Sequence, residues 1–410
     1  MLQAIGDRLA KNVRRSFQYR DFRLLWFGAF FSFMGGWIQT TAQGWLVYEM
    51  TGDRSKLAWV TFCAMIPMAI LGPFGGALVD SLNRRRLLIT CQAVYGTNAL
   101  ILALGVTMGW VRYEHILAVA LINGVMNTVE TPARQSLVSS IIPPEDIPAA
   151  VPVNAMTFNL SRILGPAVAG ILLTLVGPQI CYLANGFSYL ALIFALLAIR
   201  TDISTRAAER APILDLVSEG MRYAWRDRRL RMLLLMEITV SMFAMFYLPM
   251  MPAIAKDMLG LGEAGLGFAM TAVGVGTMTA LITLMALADR PFKGFLSRLA
   301  MVSIGMALLL LSFVREPWLA YPLLAIAGAS GVMLFNTTNT LFQLLSPDHL
   351  RGRVLALHIW AISGFGPLSM PFLGALAQAK GMPVALQVGA GLVLGGAFLA
   401  WKNRAQLAGV

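Results

Sequence analysis

Seven stretches of this chain, residues 24–48, 57–79, 87–109, 179–199, 264–288, 318–345 and 384–401, contain no charged side chain at all. A helix of about 20 apolar residues spans the hydrocarbon core of a bilayer. In that core every backbone polar group has to be satisfied within the protein, which leaves helices or a closed barrel. Barrel strands alternate apolar with polar residues. These runs are continuous and rich in Leu, Ala, Met and Gly, so helices fit and strands do not. Similar runs recur throughout the 410 residues, of which 58% are hydrophobic and 13% charged. A soluble domain carries about a quarter charged residues, so this chain has too little polar surface to face water all round.

Twelve spans are expected, at 24–48, 57–79, 87–109, 115–140, 149–176, 179–199, 231–254, 264–288, 295–314, 318–345, 353–379 and 384–401. The architecture implied is an all-α integral membrane protein in two six-helix bundles, 1–199 and 230–410, joined by a polar loop at 200–229. An even number of spans puts both termini on one side. That side collects the basic N-terminus through Arg23, the run Arg84–Arg86, the central loop with Arg200, Arg206, Arg210, Arg222, Arg226, Arg228, Arg229 and Arg231, then Arg290, Lys293, Arg351, Arg353, Lys402 and Arg404. The other side has Arg54, Lys56, Arg112, Lys256, Arg315 and Lys380. Cytoplasmic loops carry the excess of Lys and Arg, so termini and central loop are expected in the cytoplasm and the protein in the cell (inner) membrane. The net charge of +12 is then topology plus attraction to anionic lipid, and no nucleic-acid partner is expected. The N-terminus leads straight into the first run without a signal peptide.

Within the central loop, Ile213, Leu216, Val217, Ala224 and Trp225 share one helical face behind Pro212. An interfacial helix is expected there, with a plain linker helix as the alternative. Cys63, Cys91 and Cys181 each sit inside an apolar run and read as small core residues. No metal or organic cofactor is suggested.

The halves resemble each other. Arg20-Asp21 before the first span matches Arg226-Asp227 before the seventh, and Ala77-Leu78-Val79-Asp80 matches Ala286-Leu287-Ala288-Asp289. Asn127-Thr128 with Thr131 matches Asn336-Thr337 with Thr340, and Gly165-Pro166 matches Gly366-Pro367. Two parallel repeats place a substrate site at their interface near mid-bilayer.

On these motifs the chain resembles the major facilitator superfamily. Its signature Gly-x-Leu-x-Asp-Arg-x-Gly-Arg-Arg reads here from Gly76 through Asp80 to Arg84 and Arg85, with Ser81 for the usual Arg and Asn83 for the second Gly. Asn is the next-best residue for positive φ. The resemblance implies a charged latch made of Gly76, Asp80, Arg84 and Arg85, with Asp289 as the repeat's counterpart. Pro132-Ala133-Arg134, Pro144-Glu145-Asp146, Gly165-Pro166-x-x-x-Gly170, Glu219-Gly220-Met221-Arg222-Tyr223 and Arg351-Gly352-Arg353-Val354 are similar to the branch containing the enterobactin exporter and related drug-efflux proteins, the transmembrane secretion effectors. Gly165, Pro166 and Gly170 also resemble a fifth-span antiporter motif; small residues there equally suit a packing seam.

Ionisable groups inside spans are costly and mark function by default. Glu130 lies inside the fourth span with Arg134 one turn on, Arg162 deep in the fifth, and Glu237 in the seventh, while His358 stands near the cytoplasmic end of the eleventh. Glu130 is expected to couple transport to protons, with Arg162 or Arg134 as alternating partner; a permanent structural ion pair is the competing reading. For Glu237 hydration near the cytoplasmic mouth competes with a coupling role. Gln39, Gln43, Asn123, Asn127, Asn154, Asn336 and Asn339, walled by aromatics including Phe246 and Trp360, form the expected cavity lining. Taken singly, each amide also suits an interhelical hydrogen bond.

The function implied is secondary active export of a small amphiphile, siderophore or drug-like, by proton antiport with alternating access, in a monomer. A lipid or lysolipid translocator and an uncoupled facilitator remain open. A membrane enzyme would need converging catalytic or metal-binding groups, and a primary pump a Gly-x-x-x-x-Gly-Lys loop; the chain has neither. A sensor without transport would be expected to carry an appended soluble domain.

Overall fold

The computed structural model describes residues 11–201, 213–287, 292–347 and 350–404, with backbone only at 73–81, 136, 139 and 213–219. Pro212, Asp289 and His349 lie outside the described residues. The elements are helices: α1 Arg20–Thr51, α2 Arg54–Ser81, α3 Arg84–Thr107, α4 Tyr113–Ile141, α5 Ile147–Val176, α6 Pro178–Ala198, α7 Ile213–Arg226, α8 Arg228–Thr239, α9 Glu263–Ala286, α10 Lys293–Leu311, α11 Pro317–Leu345, α12 Arg351–Lys380 and α13 Met382–Lys402. Eleven helical segments among the described residues are long and apolar enough to cross a membrane, with Arg228–Tyr247 counted as one. The remaining expected span is α1, an unbroken helix of 32 residues whose middle carries Gln39, Thr40, Thr41 and Gln43. The helices match the spans read from the sequence to within a few residues at each end.

The seventh span departs from expectation. It is not a continuous α-helix: after α8 it runs through π-helical Val240–Ala244, a 3₁₀ turn at Met245–Tyr247, and a second π segment at Ile254–Met258. Asn83 also corrects an expectation. Its φ is −68°, and it caps α3 by accepting from the Arg86 amide. The residue therefore serves as an N-cap, where Asn is among the best choices, and positive φ is not what selects it. Positive φ is needed at Gly177 (+86°) and Gly381 (+89°). These matching joints turn the chain directly into α6 and α13, each with Pro at one of its first two positions.

The chain forms two compact units. One comprises Met1–Met50, Phe74–Ala208 and Glu263–Thr271; the other comprises Thr51–Pro73, Glu209–Gly262 and Ala272–Val410. In the first, α3 packs on α4 and α6, and α5 on α4 and α6, around a core that includes Phe22, Leu25, Leu88, Leu137, Leu192 and Leu196. Lipid offers no hydrophobic drive between helices, so close approach at small residues and interhelical hydrogen bonds carry the packing. Trp26 Nε1 donates to Val153 O at 2.9 Å and Ser161 Oγ to Phe30 O at 3.0 Å, pinning α1 to α5. A Cβ added at Gly165 would stand 3.1 Å from Met34 O on the same crossing, and one at Gly267 only 2.7 Å from Pro166 O. At one end of this unit, Asp146 of the Pro-Glu-Asp motif ion-pairs with Arg15 and accepts from Gln18 (3.2 Å) and Tyr19 (2.5 Å). Asp21 accepts from the Thr201 amide and hydroxyl at 2.9 and 2.7 Å.

In the second unit α10 packs on α11 and α13, and α12 on α13 and the seventh span. Gly366 repeats the part played by Gly165: its Cβ would meet Ser241 Oγ at 3.0 Å, and Ser241 Oγ donates to Ile362 O at 2.5 Å. Arg54 grips Asp257 through Nη2 (2.6 Å) and Nε (2.7 Å), while its backbone amide donates to Gln378 Oε1. α7 lies on α8 and α12, and a Cβ at Gly220 would be 3.0 Å from Arg353 Cβ. Two motifs far apart in sequence, around Gly220 and Arg353, thus meet at one helix contact. The apolar face expected for α7 divides, because Ala224 is fully buried while Trp225 is 50% exposed.

Candidate functional site

The first unit buries one carboxylate deep in α4. Pro132 follows two residues after Glu130 and cannot donate to the carbonyl four residues before it; Thr128 turns its hydroxyl to Val125 O at 2.7 Å. Glu130 is 2% exposed. It forms an ion pair with Arg134 one turn on, and Gln92 Nε2 donates to its Oε1 at 3.4 Å. Gln92 Oε1 in turn accepts from Ser32 Oγ at 3.0 Å. The result is a polar chain from α1 through α3 to α4 that ends on a charge. Arg134 lies over the Phe33 ring, 4.0 Å from its centroid, and its buried Nη1 has no hydrogen-bond partner. Phe33 packs edge-on against Phe158 at 5.3 Å, and Arg162 lies 5.9 Å from the Phe158 ring. One aromatic pair therefore carries a guanidinium at each end. An arrangement of this kind can hold a carboxylate charged in a dry place, and loses that ability if the guanidinium moves away.

The second unit contains a charge centre that the sequence did not assemble. Glu237 is fully buried and not hydrated at the helix mouth. His358 Nδ1 lies 2.6 Å from Glu237 Oε1, and Thr338 donates its hydroxyl to the same oxygen. The other oxygen, Oε2, is buried without a hydrogen-bond partner. Phe342 closes one side of the imidazole, ring centroids 5.6 Å apart. Three helices, α8, α11 and α12, each supply one polar group. The first π segment begins three residues after Glu237. Such segments occur inside helices often at functional sites.

The remaining expected residues are placed as follows. Gln39 is buried and accepts from Asn185 Nδ2 at 2.6 Å. Asn123 accepts from Asn98 at 2.8 Å, and Asn339 from Gln343 at 2.5 Å. Gln43 and Asn154 are half-buried. Asn127 and Asn336 are exposed; Asn127 accepts from Thr131, and Asn336 donates to Val332 O. Phe246 is enclosed in the core at 1% exposure. Trp360 donates to Ala69 O at 3.0 Å. Of the latch residues, Gly76 and Asp80 lie on α2 where backbone alone is described. Arg84 reaches Ser140 Oγ at 3.5 Å, and Arg85 donates to Ile199 O at 2.7 Å and Thr201 O at 3.1 Å. Gly165, Pro166 and Gly170 lie at crossings of α5 with α1 and with the start of α9. Among the described residues no cluster of His, Cys, Asp and Glu could hold a metal ion.

Comparison with known proteins adds the family context. A family model described as transmembrane secretion effector matches residues 15–407. The staphyloferrin A transporter of Staphylococcus aureus is 23% identical over 358 residues, covering 86% of this chain and 89% of the relative. The multidrug efflux pump Tap of Mycobacterium tuberculosis is 24% identical over 370 residues, covering 88% and 87%. Among solved structures, the nucleoside transporter NupG superposes with a TM-score of 0.75 at 12% identity, covering 93% of this chain and 98% of that one. A bacterial homologue of the iron transporter ferroportin gives 0.72 at 16% identity, covering 94% and 99%. These structures share the fold.

Proposed function

The chain belongs to the transmembrane secretion effector family of major facilitator transporters, a multi-pass membrane family and not a family of enzymes, and on that premise we propose that it exports a small amphiphilic molecule, siderophore or drug-like, in exchange for protons. The observation that carries the reading is Glu130: a carboxylate 2% exposed, paired with an arginine on its own helix and linked by Gln92 and Ser32 to two others. Isolating such a charge from water is costly, and its partner decides whether it stays ionised. In one state Arg134 sits on Glu130 and the proton is off. A helix movement that draws Arg134 toward the Phe33–Phe158 wall, or brings Arg162 in place of it, changes the proton affinity. That difference between two states is what couples substrate movement to a pH gradient. Glu237 with His358 offers a second place where a proton is shared.

The substrate class rests on the relatives and on two amides. The relatives by name move staphyloferrin A or several drugs. Asn127 and Asn336 are exposed on spanning helices. An amide facing hydrocarbon is costly, so those faces are expected to line water and to bind polar groups of a substrate. Both termini and the central loop are assigned to the cytoplasm on the Lys and Arg bias, in the inner membrane.

The test is efflux from proteoliposomes under an imposed pH gradient, with hydroxycarboxylate siderophores, cationic dyes and lysolipids as the panel. Gradient-driven movement of one class, lost in Glu130→Gln while insertion is retained, supports the proposal. Movement indifferent to the gradient, or surviving the substitution, refutes Glu130 as the coupling group.

A further inference from the structure

Arg298, near the start of α10, is buried, with 6% of its surface exposed. Its Nε and Nη1 are enclosed without a hydrogen-bond partner. The guanidinium stands 5.8 Å from the Trp401 ring on α13, and Trp401 meets Phe295 edge-on at 5.9 Å. Burial is the larger influence on Arg298, and the nearby cation Arg404 adds repulsion. Among the described residues no carboxylate pairs with either arginine. The arrangement is unfavourable as it stands. Buried N–H groups without acceptors cost free energy, and a second cation nearby adds to that cost.

One kind of ligand reverses both penalties, an oxyanion with several acceptor oxygens, which arginine binds through its planar fork. The adjoining surface indicates its source. Phe295 is 44% exposed, Leu299 39% and Phe398 69%. An apolar wall thus rises from the cationic end of α10 and α13, at the side of the chain where its basic residues gather. We propose that Arg298 and Arg404, floored by Trp401, bind the phosphate headgroup of an anionic phospholipid whose acyl chains lie along Phe295, Leu299 and Phe398. Basic pockets between membrane helices suit such headgroups. The site lies wholly within the second unit and stands apart from the transport reading, so either can fail alone.

The full-length protein in detergent would be titrated with dioleoyl phosphatidylglycerol and, separately, dioleoyl phosphatidylcholine, with bound lipid counted by native mass spectrometry. The wild type is expected to retain phosphatidylglycerol in preference to phosphatidylcholine. Arg298→Gln should weaken phosphatidylglycerol at least about tenfold, and Arg404→Gln about fivefold. Arg404 is exposed, so its variant tests the site even if Arg298→Gln folds poorly. Equal affinity for the two lipids, or wild-type retention of phosphatidylglycerol in the variants that fold, overturns the proposal. Displacement of the lipid by millimolar inorganic phosphate overturns it as well, because the ligand would then be a free anion.

Discussion

Replacing Arg134 by Met separates a buried ion pair from its packing. Met keeps an apolar stem against Phe33, where Arg134 now lies 4.0 Å from the ring centroid, so most of the contact area survives. What disappears is the charge. Two unit charges about 4 Å apart in an effective dielectric of about 20 attract by about 4 kcal/mol. The Gln92 amide, at 3.4 Å from Glu130, is present with or without Arg134 and cancels, so the expected loss is about 4 kcal/mol. For a chain of 410 residues that corresponds to a fall of roughly 4–5 °C in unfolding temperature, read from tryptophan emission in detergent. The double variant Glu130→Gln with Arg134→Met should recover most of the loss, because no stranded carboxylate remains. Its coupling energy is expected at about 2–3 kcal/mol. If the single variant unfolds within about 1 °C of wild type, or the double variant is as unstable as the single, the pair does not do what its geometry implies.

Two further outcomes follow from the second unit and from the helix crossings. Glu237→Gln keeps a side chain able to bond Thr338 and His358 and should cost under about 1.5 kcal/mol, whereas His358→Leu strands a fully buried carboxylate and should cost about 3 kcal/mol; thermal unfolding in the reverse order would refute the cluster. Gly267→Ala places a Cβ 2.7 Å from Pro166 O and 3.0 Å from Gly170 Cα and should cost about 1–3 kcal/mol, and an unchanged unfolding temperature would show that α5 and α9 do not approach so closely.

The helices were legible because apolar length alone marks a span, and the paired motifs Gly165-Pro166 and Gly366-Pro367 announced the repeat that the two crossings display. The ion pair of Glu130 with Arg134 was legible for a local reason: residues four apart share a helix face. Glu237 was not, because position along a span gives depth but not direction around the helix, and its partners are 101 and 121 residues away. A signal existed. Glu237 and His358 are both ionisable, both in spans and at similar depths, and matching depths would have paired them. The π segments of the seventh span leave no mark in composition. Asn83 was read through the family's glycine, whereas its place just before Arg84 already marked a helix cap.

A π segment is what an α-helix becomes when it accepts one extra residue without changing its ends. The seventh span carries two, at Val240–Ala244 and Ile254–Met258. Each residue turns a helix by about 100°, so the first insertion sets which faces of the span agree across it. Glu237 before it and Phe246 and Tyr247 after it are all buried. Deleting one residue between Val240 and Ala244 would rotate Phe246 and Tyr247 by about 100° about the span and swing them out of the core. Relatives of this chain should therefore gain or lose a residue there only together with a change of which side of the span is apolar.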